Sequence, residues 1–139
     1  MDIAVPANLR CGQPEGGAPA QDPDWAPLSF TFAGVWEIAP NWVAEHRQQV
    51  LLLDVREEEE FTGPLGHIAG ARLVPLGALA EHADDLSRDK PIVTICRAGG
   101  RSAQATHILR KAGFERVANL AGGMLRWRTE GYGVEGGAE

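Results

Sequence analysis

The segment Cys96-Arg97-Ala98-Gly99-Gly100-Arg101-Ser102 brings a thiol, two guanidinium groups, two glycines and a hydroxyl together within seven residues. Cysteine is a nucleophile as its thiolate, and a helix N-terminus or a neighbouring cation favours that form over the thiol. Gly99 and Gly100 would let the backbone turn tightly and aim several N–H groups at one point. Ser102 is expected to cap the helix that follows, whose positive end would then face the sulfur. A cysteine ending a buried strand is often no more than a small hydrophobe, and a glycine-rich turn can serve a bend alone. Packing has no use for two cations beside the thiol. The combination predicts an anion nest with a nucleophilic sulfur at its centre.

Such a loop needs a strand before it and a helix after it, and the pattern supplies both. Ile92-Val93-Thr94-Ile95-Cys96 is rich in β-branched residues and apolar on both faces, and Val50 to Val55 is a continuous apolar run of strand length. These read as central strands of a sheet covered on both sides. Ala105, Ile108, Leu109 and Ala112 form a helical stripe after the loop, and Leu76, Leu79, Ala80 and Ala83 form another. Val35 to Ile38 reads as a short edge strand, and Pro40 opens a short helix carrying Trp42, Val43 and His46 on one side. Glu57 to Phe61 suits one helical turn, Ala71 to Val74 and Arg116 to Leu120 suit short strands, and Met124 to Glu130 a last helix with Met124 and Trp127 inward. Strand and helix in alternation predict an α/β fold, a parallel sheet with helices on both faces. Ligands of such sheets bind beyond the carboxyl ends of the strands. Two of those ends stand out, Asp54-Val55-Arg56 and Cys96-Arg97.

The whole chain has 139 residues, enough for one domain. Its 13 Lys+Arg against 19 Asp+Glu leave a net charge of −6, which argues against a nucleic-acid or anionic-membrane binder. Yet no acidic residue lies between Pro91 and Phe114, so the loop itself is expected to be locally cationic. Two cysteines, Cys11 and Cys96, make neither a disulfide framework nor a four-cysteine zinc site. His46, His82 and His107 show no metal-ligand spacing, so no metal is expected. The N-terminus has no basic region before its early Pro6, and no apolar run approaches the ~20 residues of a membrane span. A reducing cytoplasm is the expected compartment. Residues 1–33, rich in proline and glycine, are expected to be a partly flexible extension, 34–134 the domain, and 135–139 a flexible tail.

Several motifs in order resemble the rhodanese-like domains. Asp54-Val55-Arg56-Glu57 with Glu60-Phe61 resembles the family's first signature, and Gly66-His67-Ile68-Ala69-Gly70-Ala71 resembles its Gly-His-Ile-x-Gly-Ala stretch. Cys96 to Ser102 is similar to the active-site loop, and Gly113-Phe114, Val117, Leu120, Gly122-Gly123-Met124 and Trp127 to the closing stretch. The resemblance covers about residues 35 to 134. It implies a central five-stranded parallel sheet with helices on both faces, and sulfur transfer without a cofactor. A donor such as thiosulfate would give its sulfane sulfur to Cys96 as a persulfide, and cyanide or a thiol, a protein thiol included, would take it. Arg97, Ala98, Gly99, Gly100, Arg101 and Ser102 would then form the substrate cradle, Arg97 and Arg101 attracting an anionic donor.

The spacing Cys-x4-Arg is one residue shorter than the Cys-x5-Arg loop of relatives acting on phosphate or arsenate. A smaller ring of donors suits a single sulfur better than a tetrahedral oxyanion, so phosphatase or arsenate reductase chemistry ranks below sulfur transfer. A persulfide carrier or sensor serving a partner protein stays open beside the enzyme. Asp54, Arg56 and His67 are supporting candidates: Asp54 orienting a group near the site or pairing with Arg56, Arg56 pairing with Glu59 or Glu60, His67 bonding loop backbone. Glu57 to Glu60 reads as a solvated face, Gly63 to Gly66 as a lengthened loop, and Cys11 as a bystander thiol.

Overall fold

The computed structural model describes residues 25–137, so Cys11 and the flexibility expected before residue 25 lie outside the described residues. Its strands are β1 (Leu28–Phe30), β2 (Trp36–Ile38), β3 (Leu51–Asp54), β4 (Arg72–Leu73), β5 (Ile92–Ile95) and β6 (Val117–Leu120). The helices are α1 (Pro40–His46), α2 (Glu58–Phe61), α3 (Leu76–His82), α4 (Gly100–Lys111) and α5 (Gly123–Thr129). The sheet runs β1-β2-β6-β5-β3-β4. Strands β2, β6, β5, β3 and β4 are mutually parallel, the five expected.

A sixth strand was not expected. β1 pairs antiparallel with β2 through Leu28↔Ile38 and Phe30↔Trp36, so β2 is an interior strand and not the edge. The sheet therefore begins before residue 34. Three residues are too few for a period-2 signal, and Pro27 hides the strand's start. What holds it is side-chain packing: the Phe30 and Trp36 rings meet edge to face at 5.0 Å. The Thr31 N–H and hydroxyl both donate to the Val35 carbonyl and close the hairpin.

The pleat of β3 and β5 sorts the core into two layers. Leu53 and Ile92 face α3 and α4, packing with Leu79, Ala105 and Leu109. Leu52, Val93 and Ile95 face α1 and α5, packing with Val43, Met124 and Trp127. Both central strands are buried on both sides, which is why they read as unbroken apolar runs. Among the described residues no helix is long and apolar enough to cross a membrane.

Candidate active site

β5 carries Ile92, Thr94 and Cys96 on its α4 side, so the sulfur emerges where the strand gives way to the loop. Cys96 is 1% exposed and lies at the floor of that loop. The chain must turn at once to start α4, and Gly99 makes the turn with φ of 121°, a conformation L side chains rarely adopt. That turn aims the Gly99 N–H at Cys96 Sγ, 3.0 Å away. The first-turn N–H groups of α4 have no intrahelical acceptor and give this end of the helix its positive character. Gly100 is different from its neighbour: a Cβ there would meet nothing within 4 Å, so only one of the two glycines is needed for geometry.

Ser102 does not cap the helix. α4 begins three residues earlier than expected, Gly99 is its N-cap without a side-chain bond, and the Gly99 carbonyl accepts the Ala103 N–H at 3.1 Å. Ser102 thus sits inside the first turn, fully buried, with its hydroxyl 3.2 Å from Cys96 Sγ. α5 closes the loop from behind. The Met124 and Leu125 N–H groups donate to the Cys96 and Arg97 carbonyls at 2.9 and 3.0 Å. Gly123 permits this approach, since a Cβ there would stand 2.5 Å from both of those oxygens.

Of the two arginines, Arg97 is exposed, and its guanidinium has no ion pair or hydrogen bond among the described residues. Arg101 is engaged. Its Nη1 and Nη2 donate to Glu60 Oε2 and Oε1 at 2.6 and 2.7 Å, a bidentate pair. Glu60 is therefore no part of a solvated face. Its Oε2 also accepts the Glu57 N–H at 3.2 Å, completing a capping box on α2. The cationic loop thus meets a carboxylate from 41 residues upstream.

The Arg101 hydrogen bonds hold the Glu60 carboxyl down at about 2, against an ordinary 4.5. A folded-state value below the unfolded one gives stability that is present above pH about 4.5 and lost as pH falls towards about 2. Both side chains are about a third exposed, at 35% and 31%, and solvent screening limits the contribution to about 1 kcal/mol. Glu60→Gln is expected to be less stable than the parent by that amount near pH 7, with the gap closing in acid. Urea unfolding at a series of pH values measures it.

Arg56 pairs with Asp54, as expected for that carboxylate, and not with the carboxylates of Glu59 or Glu60. Its Nε and Nη2 donate to Asp54 Oδ1 and Oδ2 at 2.9 and 2.8 Å, while Glu60 offers only its backbone carbonyl, to Nη1 at 3.1 Å. Nη2 also donates to the Gly66 carbonyl at 2.8 Å. Asp54 ends β3 and reaches back over its own turn, so it is nearer than either glutamate. The buried pair thereby pins the segment that presents Glu60. His67 bonds backbone, though at the end of α2 and not in a loop: Nδ1 donates to the Phe61 carbonyl at 3.0 Å and the ring stacks on Phe61 at 3.8 Å. His67 and Glu135 exchange backbone hydrogen bonds at 3.0 and 2.8 Å. The Gly63 to Gly66 loop is tied by Arg128, whose Nη1 donates to the Pro64 and Leu65 carbonyls.

One functional candidate was not foreseen. Asn119 of β6, 2% exposed, donates from Nδ2 to the Gly99 carbonyl at 3.1 Å and accepts from the Ser102 hydroxyl at Oδ1. Its signal was an amide inside Val117-Ala118-Asn119-Leu120, a strand otherwise wholly apolar. Buried polar groups are almost always bonded, so the amide announces a partner across the sheet.

The family model of the rhodanese-like domain matches residues 39–130. The chain belongs to the rhodanese-like domain family. A crystal structure of a rhodanese-related protein from Thermoplasma volcanium superposes with a TM-score of 0.65 at 34% identity, covering 70% of this chain and 94% of that one. A sulfurtransferase of Allochromatium vinosum is 34% identical over 87 residues, 63% of this chain and 79% of its own. The YqhL protein of Bacillus subtilis is 43% identical over 76 residues, 55% of this chain and 59% of its own. This rhodanese-like domain spans less than two thirds of the length of that relative and of several others.

Proposed function

We propose that this rhodanese-like domain is a sulfurtransferase in which Cys96 carries a sulfane sulfur as a persulfide. The reading rests on one observation above others: a buried Cys96 Sγ held by the Gly99 N–H and the Ser102 hydroxyl at the positive end of α4. In the first step the thiolate attacks the sulfane sulfur of the donor. With thiosulfate, a sulfur–sulfur bond forms at Cys96 as the donor's own breaks, and sulfite leaves with its electron pair. In the second, cyanide or a thiolate takes that sulfur, and Cys96 is returned as thiolate. The loop N–H groups are aimed where the outer, charged sulfur develops. A relative named a sulfurtransferase supports the same class of reaction.

The Glu60–Arg101 pair bears on the donor. Paired arginine attracts a dianion less than free arginine does, so Arg97 is left as the main recruiting cation. This favours donors whose sulfur-bearing group carries less charge than that of thiosulfate, such as the persulfide of a small or protein thiol. It also weighs against phosphate chemistry, which uses the loop arginine on the oxyanion.

A donor panel tests the reading in a compartment-independent way. Thiosulfate, mercaptopyruvate and glutathione persulfide are each offered with cyanide, and thiocyanate is measured. We expect thiocyanate above the uncatalysed rate from at least one donor, with glutathione persulfide ahead of thiosulfate in kcat/KM. No donor exceeding the uncatalysed rate would overturn sulfur transfer. Rapid loading with slow turnover on cyanide and fast turnover on a protein thiol would identify a carrier serving a partner protein.

A further inference from the structure

The Ser102 hydroxyl has three acceptors within reach and one proton to give: Cys96 Sγ at 3.2 Å, the Gly99 carbonyl at 3.3 Å, and Asn119 Oδ1. The Gly99 carbonyl is already supplied. It accepts the Ala103 N–H and Asn119 Nδ2, both at 3.1 Å, which uses its two lone pairs. The same contact sets the amide's orientation. Turned the other way, Asn119 would place Oδ1 against the Gly99 oxygen, two acceptors facing each other without a proton. Oδ1 therefore points at Ser102, and the hydroxyl proton has two destinations, Asn119 or Cys96.

The Ser102 backbone is not free to resolve this by moving. Its carbonyl accepts the Thr94 and Thr106 hydroxyls, each at 3.0 Å, from below the loop. Only the torsion of the hydroxyl can change. We propose that Asn119 is a positioning residue that competes with Cys96 for the single proton of the Ser102 hydroxyl. While Cys96 is a thiol, its S–H donates to Ser102 Oγ and the hydroxyl donates to Asn119. When the thiol proton leaves to solvent or base, the hydroxyl turns and donates to the thiolate, and Asn119 Oδ1 is left without its donor. Once sulfur is loaded, the charge sits on the outer sulfur, and the hydroxyl returns to Asn119. The competition keeps the bare thiolate from being bound too firmly relative to the persulfide. The charged groups around the sulfur, Arg97 on the loop and Arg101 with Glu60 on α4 and α2, are the same in each state and in every variant below.

The consequence has a sign that a merely structural role would not produce. Cys96 alkylation by iodoacetamide at fixed neutral pH reads the thiolate fraction, and the thiolate's ultraviolet absorbance reads it independently. Neither needs a sulfur donor, so failure here is distinct from failure of the sulfur-transfer reading. Ser102→Ala removes the donor and is expected to slow alkylation by about tenfold, the usual worth of a hydrogen bond to a charged group. Asn119→Ala removes the nearer competitor and leaves only the Gly99 carbonyl, at 3.3 Å and freed of the amide, so it is expected to speed alkylation by about threefold. Asn119→Leu, which fills the vacated space, is expected to act in the same direction and carries the test if the alanine variant folds poorly. In the Ser102→Ala background, Asn119→Ala is expected to add nothing. Folded Asn119 variants that alkylate no faster than the parent, or acceleration that persists without the Ser102 hydroxyl, would overturn the proposal.

Discussion

Asp54→Ala is expected to cost the domain about 3–5 kcal/mol of stability, the price of leaving one partner of a buried ion pair uncompensated. Both side chains of the Asp54–Arg56 pair are fully buried, at 0% exposure. Asp54 satisfies three donors, the Arg56 Nε, Nη2 and backbone N–H. Removing the carboxylate leaves a guanidinium that solvent does not reach. Domains of this size hold about 5–15 kcal/mol in all, so the variant stands near the edge of folding. Its urea midpoint is expected to fall steeply. The double variant Asp54→Ala with Arg56→Met is expected to lose less than the sum of its single variants, because the stranded charge is gone. Additive losses would show that the charge is not the cause. Arg56→Met has its own effect on the site: the Glu60 and Gly66 carbonyls lose their donor, so the segment facing Arg101 loosens.

Cys96→Ser is expected to bring sulfur transfer down to the uncatalysed rate, a loss of at least about a thousandfold. The change is small in volume, and its hydroxyl would sit among the donors that now serve the sulfur, so the fold should persist with an unchanged unfolding midpoint. The chemistry does not persist. A serine hydroxyl is not ionised near neutral pH, and oxygen neither attacks a sulfane sulfur readily nor stores it as a persulfide. Thiocyanate formation from the best donor measures the loss, beside circular dichroism to show the fold.

Much of this was legible because it is local in the chain. The nucleophile, the turn and the helix that faces it lie in consecutive residues, and the apolar runs of β3 and β5 show burial on both faces without further help. The parts that were not legible depend on contacts between distant segments. Glu60 reads as one of four consecutive acids on a surface turn, and only the folded chain brings it against Arg101. The Asp54–Arg56 pair, two residues apart, is one the sequence offers directly, and the fold decides only that it prevails over Glu59 and Glu60, because the Asp54 carboxylate is buried with the guanidinium. Ser102 looked like a cap because caps and first-turn serines share the same composition, and the difference is set by where Gly99 makes its turn. Asn119 carried a readable signal, an amide in a buried strand, whose partner 20 residues away on Gly99 it could not name. β1 is too short to show a period, and it is held by the aromatic pair it makes with β2.

The central claim is that Cys96 itself carries the transferred sulfur. The most direct measurement is the intact mass of the protein, and of the peptide containing Cys96, after exposure to a sulfane donor and removal of the excess. The expected result is a gain of one sulfur atom confined to that peptide, lost on adding cyanide with release of one equivalent of thiocyanate, and absent from Cys96→Ser. Thiocyanate produced catalytically with no sulfur ever found on Cys96, or produced equally well by Cys96→Ser, would contradict it.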